Sequence, residues 1–293
     1  MFLYDSVKEL TDAAVKEGRK ISELVILDQS ESMELSTDEV YKKMEESFDV
    51  MVEAVHSGND KNLKSTSGLT GGEGYKLDQY SANKGGIMGE FMTRAIGRAL
   101  SVSGLNAAMG KIVATPTAGS CGIMPGCLVS LYEDRGFGKE DIVKSMFTAA
   151  AIGMVIAKRA NVAGAEGGCQ AECGSAAAMV AAAMTELYGG KPEMSAHAAA
   201  IAISNQLGLV CDPVAGLVEI PCIKRNAQGV VTAMAAADMA LAGLKSEIPC
   251  DEVIDAMKRV GDMMPCALRE TAGGGLAATP TGIMLKEQLF GKD

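Results

Sequence analysis

The first part of the chain carries apolar side chains at helical spacing on an otherwise polar surface. Val7, Leu10 and Val15 fall near the three-to-four-residue period of an amphipathic helix. Residues 36–39 (STDE) offer N-cap side chains and first-turn carboxylates, which predicts a long helix from there to about residue 56. We therefore expect residues 1–57 to form an N-terminal helical region with an acidic surface.

The pattern changes after residue 57. Residues 57–74 are rich in Ser, Thr, Gly and Asn, which predicts an irregular loop. Beyond this loop the chain is apolar and rich in small residues, and the period-2 alternation of a half-buried strand is hard to find. We therefore predict an all-α fold, in which an N-terminal helical region over residues 1–57 and a helical domain over residues 58–293 form one continuous domain. The predicted helices lie near residues 85–104, 122–133, 139–158, 172–188, 193–208, 227–244, 250–262 and 276–289.

Three irregular segments interrupt these predicted helices. They are residues 115–126 (TPTAGSCGIMPG), 164–174 (GAEGGCQAECG) and 208–225 (GLVCDPVAGLVEIPCIKR). In a helical protein, such loops can converge at one end of the bundle and carry the functional residues. We therefore expect the chemistry of the protein to lie in these segments.

Composition and charge restrict the kinds of partner that the protein can bind. The chain has no Trp but 19 Met and 34 Gly, together with clusters of Ala, which predicts a core of small side chains. A net charge of −10 argues against nucleic-acid binding, which needs a concentrated basic face. The longest apolar run, residues 146–157, is well short of the ~20 residues of a membrane span. The N-terminal sequence does not have the layout of a secretion signal, so we expect a cytoplasmic protein without a membrane partner.

Familiar cofactor signatures are missing from the sequence. It contains neither the phosphate-binding GxxxxGK[ST] pattern nor a GxGxxG pattern in a strand-to-helix setting. No two cysteines are separated by two residues, which disfavours a paired-CxxC zinc site. The only histidines are His56, at the end of an acidic helix, and His197, in an alanine-rich run, and we interpret both as structural. Histidine, the usual general base near neutral pH, is therefore scarce in this chain, and a partner chain could supply it.

Eight cysteines in a chain without a secretion signal indicate thiols, ligands or nucleophiles rather than disulfides. Cys169 follows two glycines, Cys211 precedes Asp-Pro and Cys222 follows a proline, so these three have loop contexts. Thiolates in such loops can converge on an inorganic centre, and a three-cysteine cluster site is one hypothesis. Three cysteines lie in or beside apolar runs, and we interpret them as small buried hydrophobic residues: Cys127, Cys250 and Cys266. We place Cys173 in the helix that follows Cys169. We assign neither role to Cys121.

Several long motifs resemble one enzyme family. Residues 205–227 (NQLGLVCDPVAGLVEIPCIKRNA) and 164–183 (GAEGGCQAECGSAAAMVAAA) closely resemble the catalytic domain of iron–sulfur-dependent L-serine dehydratases. Residues 113–126 look like the substrate-loop motif of that family, and residues 269–277 (RETAGGGLA) look like its C-terminal motif. The motifs cover most of residues 60–282 in the order that the family has them.

The resemblance implies an activity, a cofactor and site residues. In that family three cysteines bind a [4Fe–4S] cluster, and Cys169, Cys211 and Cys222 are the matching positions. The expected reaction converts L-serine to pyruvate and ammonia, with an open iron of the cluster acting as Lewis acid. Resemblance and composition together assign substrate binding to two loops, at Ser65, Thr66, Ser67, Gly68, Thr117 and Gly119.

The resemblance also implies a partner. The family includes single chains with a fused α/β domain and two-chain enzymes, and this sequence looks like the α chain of the two-chain form. The proposed catalytic histidine of the family lies in the other domain or chain, which agrees with the scarcity of histidine here. Single-chain members commonly end in a cysteine near the cluster, and no cysteine follows residue 266 in this sequence. Two other functions stay open: a cysteine-desulfidase-type lyase and a non-catalytic scaffold subunit.

Overall fold

The structure, a computed structural model, describes residues 3–291. Within these residues there are thirteen α-helices, and the extended pairing is limited to an isolated parallel bridge between Cys211 and Arg269. The predicted all-α fold class is therefore confirmed. The helices are α1 Val7–Glu17, α2 Ile21–Met33, α3 Thr37–Gly58, α4 Glu73–Lys84, α5 Glu90–Ala107, α6 Ile123–Arg135, α7 Lys139–Arg159, α8 Gly164–Gly167, α9 Ser175–Leu187, α10 Pro192–Ser204, α11 Cys222–Leu241, α12 Cys250–Met263 and α13 Pro280–Phe290.

Helix α3 begins where the sequence predicts. The Ser36 side chain accepts a hydrogen bond from the backbone N–H of Glu39, and the Glu39 carboxylate accepts one from the backbone N–H of Ser36. This reciprocal capping box satisfies two backbone donors that the first turn leaves without helical partners. The helix then packs against α5, α6 and α7, so the N-terminal region is part of the helical body.

Helix α9 lies at the centre of the structure. All of residues 175–186 are buried, and the helix packs against α6, α7, α10 and α11. Its alanine side chains allow neighbouring helices to approach closely without leaving voids. The core of small side chains that the composition predicts is therefore present.

A buried carboxylate fastens the N-terminal region to this core. Glu186 on α9 is 5% exposed, and its Oε2 accepts hydrogen bonds from the backbone N–H of Ser22 (3.2 Å) and the hydroxyl of Thr148 (2.8 Å). Ser22 lies in the first turn of α2, where the helix dipole favours a negative charge. Glu186 thus links α2, α7 and α9.

Several helix boundaries differ from the prediction. Helix α4 was not predicted, and it ends at Lys84. The left-handed backbone of Gly85 (φ 74°) follows it and interrupts the helix that we expected to begin there. Helix α11 begins at Cys222, five residues before the predicted start, directly after its N-cap residue Pro221, whose missing N–H costs the helix no hydrogen bond. The helices of residues 3–291 do not combine the length and the apolar character that crossing a bilayer requires.

Candidate metal centre

The three irregular segments converge, and Asn226 joins two of them. Its Nδ2 donates hydrogen bonds to the carbonyl oxygens of Gly119 (2.8 Å) and Cys222 (3.0 Å), and its Oδ1 accepts one from the backbone N–H of Gly122 (2.9 Å). The Asn226 side chain is fully buried, so these bonds are shielded from water. The first turn of α11 is therefore held against the loop that precedes α6, as the predicted convergence of loops requires.

Four cysteines lie together in this region. Cys169, Cys173, Cys211 and Cys222 are buried and none forms a disulfide. The thiols of Cys173 and Cys211 hydrogen-bond to Cys169, and these bonds, with the charge of Arg225, lower the pKa of Cys169 well below that of a free thiol. Burial raises the pKa of Cys222 to about 12, and the negative charge of Cys169 contributes to the same shift. Cys169 is thus the thiol that ionises first.

Arg225 is the cation of this site. Its Nη1 lies 3.4 Å from the Sγ of Cys169 and donates to the carbonyl oxygen of Val210 at 2.8 Å, while its Nη2 pairs with Asp212 at 2.7 Å. The second carboxylate oxygen of Asp212 accepts a hydrogen bond from the backbone N–H of Leu276 at 2.7 Å. Asp212 therefore orients Arg225 toward Cys169 and anchors the RETAGGGLA segment to the site.

The RETAGGGLA segment also pairs with the backbone of Cys211. The Cys211 N–H donates to the carbonyl oxygen of Leu268 (2.9 Å), and the N–H of Glu270 donates to the carbonyl oxygen of Cys211 (2.7 Å). One ligand atom each of Glu172, Cys211 and Glu270 lies within 4.8 Å of the other two. A thiol and two carboxylates at this separation are compatible with a metal cofactor.

The carboxylate of Glu172 fills the space between two loops. Its Oε1 accepts a hydrogen bond from the N–H of Gly164 at 2.7 Å, and the hydroxyl of Thr117 also donates to the carboxylate. A Cβ at Gly119 or at Gly164 would clash with a carboxylate oxygen of Glu172, so a side chain at either position would displace the carboxylate. Burial, and then the charge of Cys169, raise the pKa of Glu172 to about 7.

The predicted substrate residues of the second loop, Thr117 and Gly119, both lie at this site. The Thr117 hydroxyl is within hydrogen-bonding distance of Ser120 (3.3 Å), and Gly119 accepts the bond from Asn226 described above. Both residues face Glu172. They therefore lie where loops 115–126 and 164–174 meet.

The predicted substrate residues of the first loop approach the site through Glu219. The hydroxyl of Ser67 donates to the Oε2 of Glu219 at 2.8 Å, and the hydroxyls of Ser65 and Ser67 are 3.3 Å apart. Glu219 is buried and lies three residues before Cys222. Ser65 and Ser67 are thus connected to the cysteine segment, although they do not contact its thiols in the described part of the chain.

The other two residues of this loop are exposed. Thr66 donates both its N–H (3.0 Å) and its hydroxyl (3.3 Å) to the carbonyl oxygen of Ala107 at the end of α5. Gly68 has a left-handed backbone, with φ 76°, and open space on its Cβ side. Both residues therefore lie at the outer surface of the loop.

Of the four remaining cysteines, three are buried and one is exposed. Cys127 and Cys250 are buried, as predicted, and so is Cys121, whose pKa burial raises to about 12. The prediction for Cys266 is wrong: this residue is exposed, because it lies in a short 3-10 turn after Pro265 at the surface.

Sequence reasoning did not place Cys173 among the thiols of the site. We placed it in the helix after Cys169, and it lies in the π-helical turn Gln170–Gly174, which continues into α9. The signal was the four-residue spacing, since residues i and i+4 share one face of a helix. Asn226, Arg225 and Glu172 also carried no sequence signal of their own, because each acts through contacts with distant segments.

Neither histidine contacts the cysteine site. His56 Nε2 is 2.8 Å from the carboxylate of Glu133, and His197 Nδ1 accepts a hydrogen bond from the N–H of Ser246. Each therefore makes contacts that suit a structural role, in the helices where the sequence placed them.

Comparisons with known proteins agree with the resemblance. The family model for the serine dehydratase alpha chain matches residues 16–277. A probable L-serine dehydratase alpha chain of Bacillus subtilis is 49% identical over 289 residues, which cover 99% of this chain and 96% of that protein. The L-serine dehydratase alpha chain of Peptoniphilus asaccharolyticus is 46% identical over 292 residues, covering 98% and 99% of the two chains. An L-serine dehydratase of Mycobacterium bovis is 47% identical over 184 residues, 61% of this chain and 40% of that longer one. The chain therefore belongs to the serine dehydratase alpha chain family.

Proposed function

We propose that this chain is the catalytic subunit of an L-serine dehydratase that forms pyruvate and ammonia at a [4Fe–4S] cluster. In this proposal Cys169, Cys211 and Cys222 hold the cluster. The observation that carries it is the convergence of these buried, unpaired thiols from distant segments. Thiolates are the ordinary protein ligands of iron–sulfur clusters. The names of the relatives support serine as the substrate.

A cluster held by three thiolates supplies one iron with an exchangeable position, which is a Lewis acid for the hydroxyl leaving group. Two further side chains of the protein lie next to the proposed cluster ligands. Arg225 offsets negative charge at Cys169, and Asp212 fixes the orientation of Arg225. Such contacts to the residues that bind a metal tune both its affinity and its electronic properties.

The two loops around the site are proposed to bind the substrate. Backbone N–H groups of the two loops suit the carboxylate of serine, and the hydroxyl oxygens of Ser65, Ser67 and Thr117 can accept hydrogen bonds from polar groups of the substrate. Glu219 orients Ser67, because it accepts the hydrogen bond of that hydroxyl at 2.8 Å. Gly119 leaves the space beside Glu172 free of a side chain. Thr66 and Gly68 complete the first loop in this proposal.

A partner chain is proposed to supply the base that removes the α-proton. Both histidines of this chain make contacts away from the thiols, with Glu133 and Ser246. Histidine is the side chain that most often does general base chemistry near neutral pH. The partner would be the β chain of a two-chain enzyme, as the α-chain names of the relatives suggest. The catalytic domain would extend over residues 58–293, with region 1–57 packed onto it.

The test is serine-dependent pyruvate formation by anaerobically purified chain, with and without the β chain encoded with it. We expect pyruvate and ammonia in equal amounts from the two chains together and little from this chain alone. Release of sulfide from L-cysteine without pyruvate formation from L-serine would favour the desulfidase alternative. Inactivity of the cluster-loaded two-chain protein with both amino acids would favour a scaffold and contradict the proposal.

A further inference from the structure

Glu172 is a buried carboxylate without a cation partner. Its side chain is 9% exposed, and no Lys, Arg or His of residues 3–291 forms an ion pair with it. The nearby guanidinium of Arg225 donates to Asp212, Val210 and Cys169 instead. A carboxylate that is removed from water is costly unless a cation or several donors compensate it. The described part of the chain therefore leaves this carboxylate without a positive charge to pair with.

The surroundings of Glu172 are built to keep its carboxylate in one place. Gly164 and Thr117 donate to it from two different loops. The same two loops carry glycine where any side chain would displace the carboxylate, at Gly119 and Gly164. The carboxylate is thus fixed beside Cys211, within 4.8 Å of that sulfur, and a second carboxylate from Glu270 lies within the same distance.

A further buried carboxylate near the loops, that of Glu219, has different partners. The Oε2 of Glu219 accepts hydrogen bonds from the hydroxyls of Ser67 (2.8 Å) and Thr70 (2.9 Å). These two donors come from the loop that we propose as a carboxylate-binding segment. Glu172 is therefore the better placed of the two for a cation that must lie next to the thiols.

We infer that Glu172 binds the α-ammonium group of the amino-acid substrate, with Glu270 as the second carboxylate facing it. This inference rests on the proposed function, because L-serine brings one cation into the site and that cation is its ammonium group. An ammonium group offers three donors, which can satisfy carboxylate oxygens from both residues. The pairing makes the site selective for amino acids over the corresponding hydroxy acids, since a neutral hydroxyl would leave the buried carboxylate uncompensated.

The test compares two ligands that differ in this one group. L-Alanine and L-lactate have the same carboxylate and methyl group, and neither has a β-hydroxyl to lose, so binding can be measured by calorimetry without turnover. The measurement uses the cluster-loaded two-chain protein under anaerobic conditions, with iron content determined for every variant. The variants are Glu172→Gln, the charge-retaining Glu172→Asp and the matched control Glu166→Gln, an exposed residue of the same segment.

We expect Glu172→Gln to weaken the binding of L-alanine about tenfold or more and to leave the binding of L-lactate unchanged. The KM for L-serine should rise in parallel, Glu172→Asp should recover part of the loss, and Glu166→Gln should resemble the wild type. Equal weakening of both ligands, an unchanged KM for L-serine, or loss of iron from Glu172→Gln would overturn the inference. Failure of the proposed function looks different: the wild type would discriminate alanine from lactate but would not form pyruvate.

Discussion

Arg225 Nη1 lies 3.4 Å from Cys169 Sγ, across a gap of 56 positions in the sequence. Arg225 is three residues after Cys222, so both project from the same side of the first turn of α11. One helix terminus therefore brings a thiol and a cation to the same thiolate. The hydrogen bonds from the thiols of Cys173 and Cys211, and then the charge of Arg225, lower the pKa of Cys169.

Removing the charge of Arg225 should loosen the metal centre. We expect Arg225→Gln to lower iron affinity about tenfold, because contacts to the ligands of a metal have effects of this size. Iron retained after dialysis against a chelator measures the effect. Lys224→Gln is the matched control, since Lys224 is the exposed neighbour on the same helix turn. Equal retention of iron in both variants would speak against a role for Arg225.

Asn226 should be important for folding. The variant Asn226→Ala loses three buried hydrogen bonds and leaves their backbone partners unsatisfied, so we expect a loss of about 2–4 kcal/mol in unfolding free energy. Urea denaturation of the metal-free chain measures this quantity. Gln228→Ala, at an exposed position of the same helix, should change it by less than about 0.5 kcal/mol. A loss no larger than that of the control would contradict the role of Asn226.

A methyl group at position 119 should disturb the site more than the fold. In Gly119→Ala the new Cβ would clash with the Glu172 carboxylate, which must then move. We expect kcat/KM for L-serine to fall about a hundredfold, as small displacements of catalytic groups do. Gly138→Ala is the control, because its Cβ would make an ordinary 3.5 Å contact with Asp141. Comparable activity of the two variants would show that the carboxylate position is unimportant.

Glu186 should stabilise the attachment of α2 to the core. Glu186→Ala removes the acceptor of the Ser22 N–H and the Thr148 hydroxyl, both in a buried setting. We expect a loss of about 2–3 kcal/mol in unfolding free energy. Thermal unfolding measures this loss, and the control is Glu46→Ala, at an exposed position of α3. A melting temperature equal to that of the control would refute this contribution.

The sequence pattern was informative for helices and for loops. The predicted all-α class is confirmed, and α3, α7 and α12 begin within a residue of the predicted positions, because caps and apolar periodicity act locally. Helix α4 escaped prediction because its polar sequence, EGYKLDQYSANK, has few apolar residues to set a period. The early start of α11 depends on its packing against the loop of Gly119, which is a tertiary effect.

The composition of the site was only partly predictable. Cys169, Cys211 and Cys222 stood out through the motifs around them, and their assignment as ligands stays a prediction. Cys173 looked like an ordinary helix residue because its proximity to Cys169 depends on the π-helical turn. The environment of Glu172 arises from residues 117, 119, 164 and 270, which only the fold brings together.

The cluster itself is the central claim, and its most direct test is iron and sulfide content with an absorption spectrum after anaerobic reconstitution. The wild type is compared with Cys169→Ala, Cys211→Ala and Cys222→Ala, and with Cys266→Ala as an exposed control. We predict about four irons and a broad absorption band at ~400 nm for the wild type and the control, both lost in the other three variants. An iron-free, stable wild type, or full iron content in any of the three variants, would contradict the account.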